Sequence, residues 1–277
     1  MKPLWAIQGG IINDDDAHGM LDALRNLNLP YEILKVAPFD YEKIPDVNYK
    51  GPIIPYGGTL FIDALRLVKP WVCFFNDNFK YHLAIKHYGK HMFNSDGEYM
   101  KMSQFSPSNY KKGEYLFIRP DKDIKEFAGS TMKPEDFMCW YRRIQGKGMD
   151  VTEETEIIVS EASKINREWR TFVVDGKVIS ASQYRKDHIL TKNADVPDSV
   201  YSFAKKMADL WSPAKIFVLD VCELNDELYV MEVGDFHSAG WYLSDKQKII
   251  KAVSEFVEFV EFVELSRSSV GGHLPNI

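Results

Sequence analysis

Cysteine is scarce in this 277-residue chain: Cys73, Cys139 and Cys222 are the whole set, and no CxxC spacing occurs. An odd, sparse set of this kind excludes a disulfide framework and a thiolate zinc site, and it suits a reducing compartment. Long apolar runs are also missing, since nothing approaches the ~20 residues that span a bilayer. The opening MKPLWAIQGG is too short in apolar residues for a signal peptide. The expectation is a cytoplasmic protein with no membrane partner. GxGxxG, Walker A, GxSxG, HExxH and zinc-deaminase patterns are all absent, so the common dinucleotide, P-loop, serine-hydrolase and zinc-hydrolase chemistries have no sequence support.

What remains is an ordinary globular composition, 45% apolar and 27% charged. That is enough for two modest domains or one large α/β domain. The net charge of −6 is unevenly spread: residues 78–147 carry 13 Lys/Arg against 8 Asp/Glu, leaving the rest strongly acidic. A basic middle of this kind fits either a surface for an anionic partner such as ATP or nucleic acid, or a chance cluster of solvated lysines.

The first third alternates strand and helix signals. Leu4–Gln8, Tyr31–Val36 and Pro52–Tyr56 read as strands, with a helical pattern through Met20, Leu21, Leu24 and Leu27 between the first two. Strands separated by helix-length segments predict a small parallel α/β unit. From about Tyr110 the pattern becomes α+β, with strands expected at 115–119, 156–160, 170–174, 178–182, 216–222 and 228–233. Asp175-Gly176 marks a hairpin, and 199–210 reads as a helix. The segment SEFVEFVEFVE (254–264) predicts a helix apolar over most of its girth, packed on the body or on a partner, which makes a homodimer an open possibility. The expected division is 1–110, 111–265 and a mobile tail over 266–277.

Three segments carry chemistry. IFVLDVCEL (216–224) and LYVMEVGDF (228–236) flank Asn225, Asp226 and Glu227. If those three form the loop, Asp220 faces Glu232, and two opposed carboxylates call for a hard divalent cation, with Asp235 as a further oxygen. A two-residue loop would instead send the two side chains to opposite faces. NREWRTFVVDGKVISASQYR (166–185) brings Glu168, Arg170 and Arg185 to the ends of one hairpin, where a guanidinium offers a fork for phosphate or carboxylate or is simply solvated. YLFIRPDKDIKEFAG (115–129) places Arg119 and Lys125 around a flexible loop, as a phosphate clamp or as surface charge. His82, His87 and His91, and the aromatic pair Trp140-Tyr141, read better as surface and half-buried groups than as metal or base contacts.

In order and spacing these segments resemble the ATP-grasp superfamily, and within it the RimK-like relatives of the R2K type found in phage and bacterial conflict systems. FIRP with KEFAG, the Glu-x-Arg strand with its following arginine, and FVLDV with YVMEVGD carry the resemblance over about 115–242. It implies an ATP-grasp fold preceded by a Rossmann-like unit, with ATP and Mg²⁺ as cofactors and a cytoplasmic location, the host cytoplasm if the protein is phage-encoded. Arg119 and Lys125 would contact ATP phosphates, and Ile158, Val159, Ser160 and Glu161 would line the adenine pocket. Glu168 would belong to the nucleotide site, Arg170 and Arg185 would steady the transferring phosphoryl group, and Asp220, Glu232 and Asp235 would hold the metal. The implied activity is ligation: a carboxylate on a small molecule or peptide is activated as an acyl phosphate and attacked by an amine. Two alternatives stand beside it, an RNA ligase activating a terminal phosphate and a non-catalytic ATP-binding module. One departure is plain: where the family carries Glu-x-Asn, this chain has Gly234 in place of Asn.

Overall fold

The computed structural model describes residues 1–10, 14–36, 44–123, 126–145 and 151–269. At the N-terminus, β1 (Leu4–Gln8), α1 (Asp14–Asn26), β2 (Tyr31–Leu34), β3 (Ile53–Tyr56) and α2 (Thr59–Val68) build the expected parallel unit, in strand order β2-β1-β3. β1 is buried at all five positions, as a continuous apolar run covered on both faces should be.

A second, antiparallel sheet follows α3 (Tyr81–Tyr88). It comprises β4 (Glu98–Lys101), β5 (Leu116–Pro120), β6 (Ser130–Met132) and, after α4 (Pro134–Ile144), β7 (Glu156–Glu161), in the order β4-β7-β5-β6. Thus β4, N-terminal to residue 110, belongs to this sheet. α4 begins with Pro134, whose missing N–H costs nothing in a first turn. It lays Phe137 and Tyr141 on the sheet, with Trp140 stacked on Phe137, so this aromatic pair is core and edge.

The third sheet holds β8 (Arg167–Val174), β9 (Lys177–Lys186), β10 (Ile189–Asn193), β11 (Ile216–Leu224) and β12 (Glu227–Asp235), with α5 (Asp198–Leu210) inserted and α6 (Lys246–Ser269) closing the described chain. Its order is β10-β9-β8-β11-β12. Three hairpins turn through two residues of positive φ each, Asp175-Gly176, Asp187-His188 and Asn225-Asp226, the backbone that matches strand twist and favours Asn, Asp and Gly.

This third sheet has a core on each face. Trp169, Phe217, Leu219 and Val221 pack with α5, α3 and part of the N-terminal unit. Phe172, Val218 and Trp241 pack with Trp5, Ile54 and Tyr56 and with Ile249, Val253 and Val257 of α6. α6 thus lies on the body as expected, with Phe259 and Phe262 left exposed. Residues 266–269 still belong to α6, and the remainder of the expected tail lies outside the described residues. Among the described residues no helix is long and apolar enough to cross a membrane.

Candidate active site

Between the second and third sheets lies a cavity of about 400 Å³. The strand β5 alternates, burying Leu116 and Ile118 in its own core and turning Phe117 and Arg119 to the cavity. From the opposite wall come Glu168 and Arg170 of β8, Asp220 of β11 and Glu232 of β12. Five of the residues singled out by sequence for ATP or metal, and Arg185 with them, therefore meet in one place.

The pairing that sets Asp220 opposite Glu232 is present, but not through a three-residue loop. The loop is Asn225-Asp226, and Glu227 pairs with Leu224. That two-residue register would place Met231 opposite Asp220. A β-bulge between Asp220 and Val221 shifts the ladder by one residue, leaving Met231 without a partner and bringing Glu232 opposite Asp220. A second bulge in β9, where Glu168 pairs with Arg185 and Trp169 with Gln183, frees Tyr184 in the same way. Both extra side chains, Met231 and Tyr184, line the cavity, in keeping with the use of bulges to re-aim residues beside functional sites.

Asp220, 1% exposed, is gripped by the Arg170 fork, with Nε donating to Oδ1 at 2.9 Å and Nη2 to Oδ2 at 2.8 Å. Burial disfavours the charge on Arg170, but the Asp220 carboxylate beside it raises its pKa well above the usual arginine range. Burial, together with the nearby Glu232 and Glu168, pushes the Asp220 carboxyl upward despite Arg170. Arg119 crosses from the other sheet to donate to Glu232 Oε2 at 2.9 Å, and its guanidinium lies 4.3 Å from the Tyr81 ring centroid. Glu168 accepts from Tyr184 Oη at 2.6 Å and from Arg185 Nη1 at 3.1 Å.

One part of the cavity lining is apolar, where Phe93, Ile165 and Met231 pack together. The other is polar and aromatic. There Tyr184 and Tyr242 stack with ring centroids 5.0 Å apart, and Arg170 lies within 6 Å of both rings. Tyr242 holds a φ of 48°, an uncommon conformation for a bulky residue, in the segment whose Gly240 carbonyl accepts from Arg170 Nη1 at 3.3 Å.

Several expected residues are not brought here. Ile158, Val159, Ser160 and Glu161 are not among the cavity-lining residues. Ile158 and Val159 are paired on both sides, with Tyr99 and Glu98 of β4 and with Arg119 and Ile118 of β5, so their backbone has no group left to read a base. Ser160 hydrogen-bonds Asn94, and Glu161 is exposed. The wall is instead made by Ser163 and Ile165 just beyond them.

Asp235 also departs from the expectation. Three residues past Glu232 on an extended strand, it turns to the other face, accepts from Ser238 N at 3.0 Å and does not line the cavity. There burial pushes its carboxyl up to about 6. Lys125 lies outside the described residues. Sequence reading missed Asp123, Tyr184, Met231 and Tyr242, of which only the bulged pair had no signal at all: a bulge has no composition of its own. The three histidines go separate ways, His82 to Asp121, His87 to Trp211 and His91 to Phe203.

A divalent ion suits this donor set on one condition. Among the described residues no three His, Cys, Asp or Glu side chains group to hold a metal, but Mg²⁺ is usually held by one or two carboxylates plus substrate phosphates. Asp220 and Glu232, opposed in register and costly to keep charged side by side, fit that arrangement once a nucleotide supplies the remaining oxygens.

The chain resembles solved structures along nearly its whole length. D-alanine–D-alanine ligase from Bacillus anthracis superposes with a TM-score of 0.62 at 14% identity, covering 95% of this chain and 100% of that one. D-cycloserine synthetase DcsG gives 0.60 at 10% identity, over 92% and 99%. The ATP-grasp ligase PsnB, solved with precursor peptide PsnA2 and AMPPNP, gives 0.52 at 9% identity, over 92% and 97%. Among curated proteins none matches the sequence. The family model described as "ATP-grasp domain, R2K clade family 2" matches residues 97–252. That span is more than half of the chain and contains the strands β5, β8, β9, β11 and β12 that wall the cavity, so this protein has the ATP-grasp fold and belongs to R2K clade family 2.

Proposed function

We propose that this protein is an ATP- and Mg²⁺-dependent ligase that activates a carboxylate as an acyl phosphate and joins it to an amine. The observation that carries this reading is the opposed pair Asp220–Glu232, each matched to a half-buried arginine, in a cleft with an apolar and a charged part. Structures of similar fold include ligases solved with ATP, and with Mg and ADP, and one solved with a precursor peptide.

The adenine is assigned to the apolar part, against Phe93, Ile165 and Met231, and the phosphates to Arg119 and Arg170. Magnesium, when bound by Asp220 and Glu232, supplies charge compensation for the phosphoryl group in flight. Arg170 is oriented by Asp220 and by the Gly240 carbonyl, so it meets developing negative charge without reorganising. Arg185, pinned to Glu168 yet partly exposed, stands with Tyr242 where the acceptor must enter. The acceptor carboxylate oxygen attacks the γ-phosphorus as ADP leaves. The amine then attacks the acyl carbon, phosphate leaves with the electrons of the broken C–O bond, and the nitrogen gives up its extra proton to the departing phosphate or to solvent. No side-chain nucleophile is required, so the residues' task is positioning and electrostatics.

The RNA alternative finds little in the geometry. Cations of the basic segment are divided between the cavity wall (Arg119 and Lys122) and separate surface contacts, such as Lys101 with Glu154 and Lys133 over Tyr115.

Calorimetric titration with ADP, with and without Mg²⁺, tests the reading. The wild type is expected to bind more tightly with the metal, and Asp220→Asn/Glu232→Gln to lose that gain by roughly a hundredfold, or about 3 kcal/mol. A wild type that binds no nucleotide under either condition would remove the proposal.

A further inference from the structure

The carboxylates that β8 and β11 turn to the cavity are already matched. Asp220 takes the Arg170 fork on both oxygens, and the remaining Nη1 of Arg170 donates to Gly240 O. Glu168 accepts from Tyr184 Oη and from Arg185 Nη1. Arg185 is only partly engaged by this. Among the described residues it is bonded through Nη1 alone, and its side chain is 44% exposed. Its Nε and Nη2 donors remain for a ligand in the cavity that it lines.

The sheet register keeps this arginine away from the phosphoryl site. Asp220 of β11 faces Arg170 of β8, whereas Arg185 of β9 faces Glu168, two residues farther along β8. At ~4.8 Å between strands and ~3.4 Å per residue, the Arg185 backbone lies roughly 12 Å from that of Asp220. An arginine at that distance, tied back to Glu168, is badly placed to steady the transferring phosphoryl group.

Tyr242 stands beside it. Its ring stacks on that of Tyr184 with centroids 5.0 Å apart, and the Arg185 guanidinium lies 5.7 Å from the Tyr184 ring. Among the described residues Tyr242 is bonded only through its carbonyl, which accepts from Lys246 Nζ at 2.9 Å, and its hydroxyl is left without a partner. Burial raises the phenol above its ordinary pKa, so it stays a neutral donor. Its φ of 48° is held from both sides, by the Gly240 carbonyl on Arg170 and by Ser244 Oγ on the buried Ser182 Oγ at 3.0 Å. Strain of that kind persists where the surroundings over-determine it, and it gathers at ligand sites.

We propose that Arg185 and Tyr242 form an oxyanion subsite for the acceptor, which therefore carries a second acidic group besides the carboxylate that is activated. This rests on the ligase reading above and names its substrate class: a dicarboxylate, or a carboxylate that also bears a phosphate. Both oxygens of Glu168 and of Asp220 are taken, so a cationic acceptor finds no free counter-ion among them. The subsite fixes the far end of the acceptor while Arg170 meets the near end, and the span between the two arginines selects its length.

The test is calorimetry of the ADP·Mg²⁺-loaded protein with butyrate, glutarate and phosphonopropionate at constant ionic strength. Wild type is expected to bind a dianion about tenfold more tightly than butyrate, glutarate if the second group is a carboxylate and phosphonopropionate if it is a phosphate. Arg185→Gln, whose amide can still donate to Glu168, is expected to erase that preference while ADP·Mg²⁺ affinity falls by less than about threefold. Tyr242→Phe keeps the stacked ring and serves where the arginine variant does not fold; it should cut the preference by about threefold.

A wild type that binds ADP·Mg²⁺ but holds neither dianion more tightly than butyrate overturns the inference alone. So does a preference that survives in both Arg185→Gln and Tyr242→Phe. An Arg185→Gln variant that loses ADP·Mg²⁺ affinity as steeply as dianion affinity overturns it too, since that puts Arg185 on the phosphates. A wild type that binds no nucleotide overturns the ligase reading itself, and the inference with it.

Discussion

His237 shows how a single side chain is fixed by its surroundings. It is wholly buried, with Nε2 accepting from Phe74 N at 2.9 Å and Nδ1 donating to Pro55 O at 2.7 Å. Burial lowers its pKa to about 4, so the imidazole is neutral in the folded state. A folded value below the unfolded one means stability that is fully present above about pH 6.5 and is lost as the pH falls towards 4. Equilibrium denaturation across that window should show a fall on the order of 3 kcal/mol in the wild type relative to His237→Gln, because the raised Asp235 carboxyl acts with the opposite sign in both proteins. His237→Gln should be less stable at neutral pH but should lose this slope, and an unchanged slope would assign it to other groups. Nothing in the sequence marked this histidine, because a lone residue in EVGDFHSAG carries no periodicity. Asp220 and Glu232 were legible because charged residues inside strand-like apolar runs demand partners, whereas Arg119 and Arg170, read at strand ends, were singled out by the family resemblance.

Elements show where the reading by spacing stopped short. Both loop lengths considered for the β11–β12 hairpin are partly right: two residues at the tip, and the register of a three-residue loop at the carboxylates, reconciled by the bulge at Met231. Pattern alone locates strands and turns, as it did for Asp175-Gly176, but a ladder slip of one residue is decided by packing across the sheet. Deleting Met231 should therefore restore an even ladder while keeping Asp220 opposite Glu232. The expected outcome is nucleotide binding that still depends on Mg²⁺ but is about tenfold weaker, since an apolar wall of the adenine site is lost at a cost of ~1–2 kcal/mol. Loss of the Mg²⁺ dependence instead would show that the bulge itself sets the carboxylate geometry. The helix α4 and the strand β10 went unread for a related reason: one is short and rich in polar residues, and the other is exposed at every position.

At the scale of the whole molecule, strand periodicity tells which face is buried but not against what. The family-matched span ends at 252, yet the third sheet completes its cores with Trp5, Ile54 and Tyr56 before that span and with Val253 and Val257 after it. Trp5 also donates from Nε1 to Ser254 Oγ at 3.1 Å, and Tyr56 Oη donates to Ala239 O at 2.5 Å. Residues 97–252 expressed alone should accordingly fail to give a cooperative thermal transition, while the full chain gives one. Trp241→Ala, which empties a fully buried site shared by both units, should destabilise the full chain by about 3–5 kcal/mol in denaturant titration.

The Arg119–Glu232 bond spans the gap between the two sheets, and on the proposed ligase reading it means that the resting protein already carries an internal counterfeit of its ligand. A carboxylate sits where the arginine would meet phosphate, and an arginine sits where the carboxylate would meet a cation. Taking up a metal–nucleotide would then be an exchange of partners in which the cation offsets part of the phosphate charge. Affinity for the complete pair should vary less with ionic strength than affinity for free nucleotide, and free nucleotide or free metal, each having to evict a partner without replacing it, should bind poorly alone.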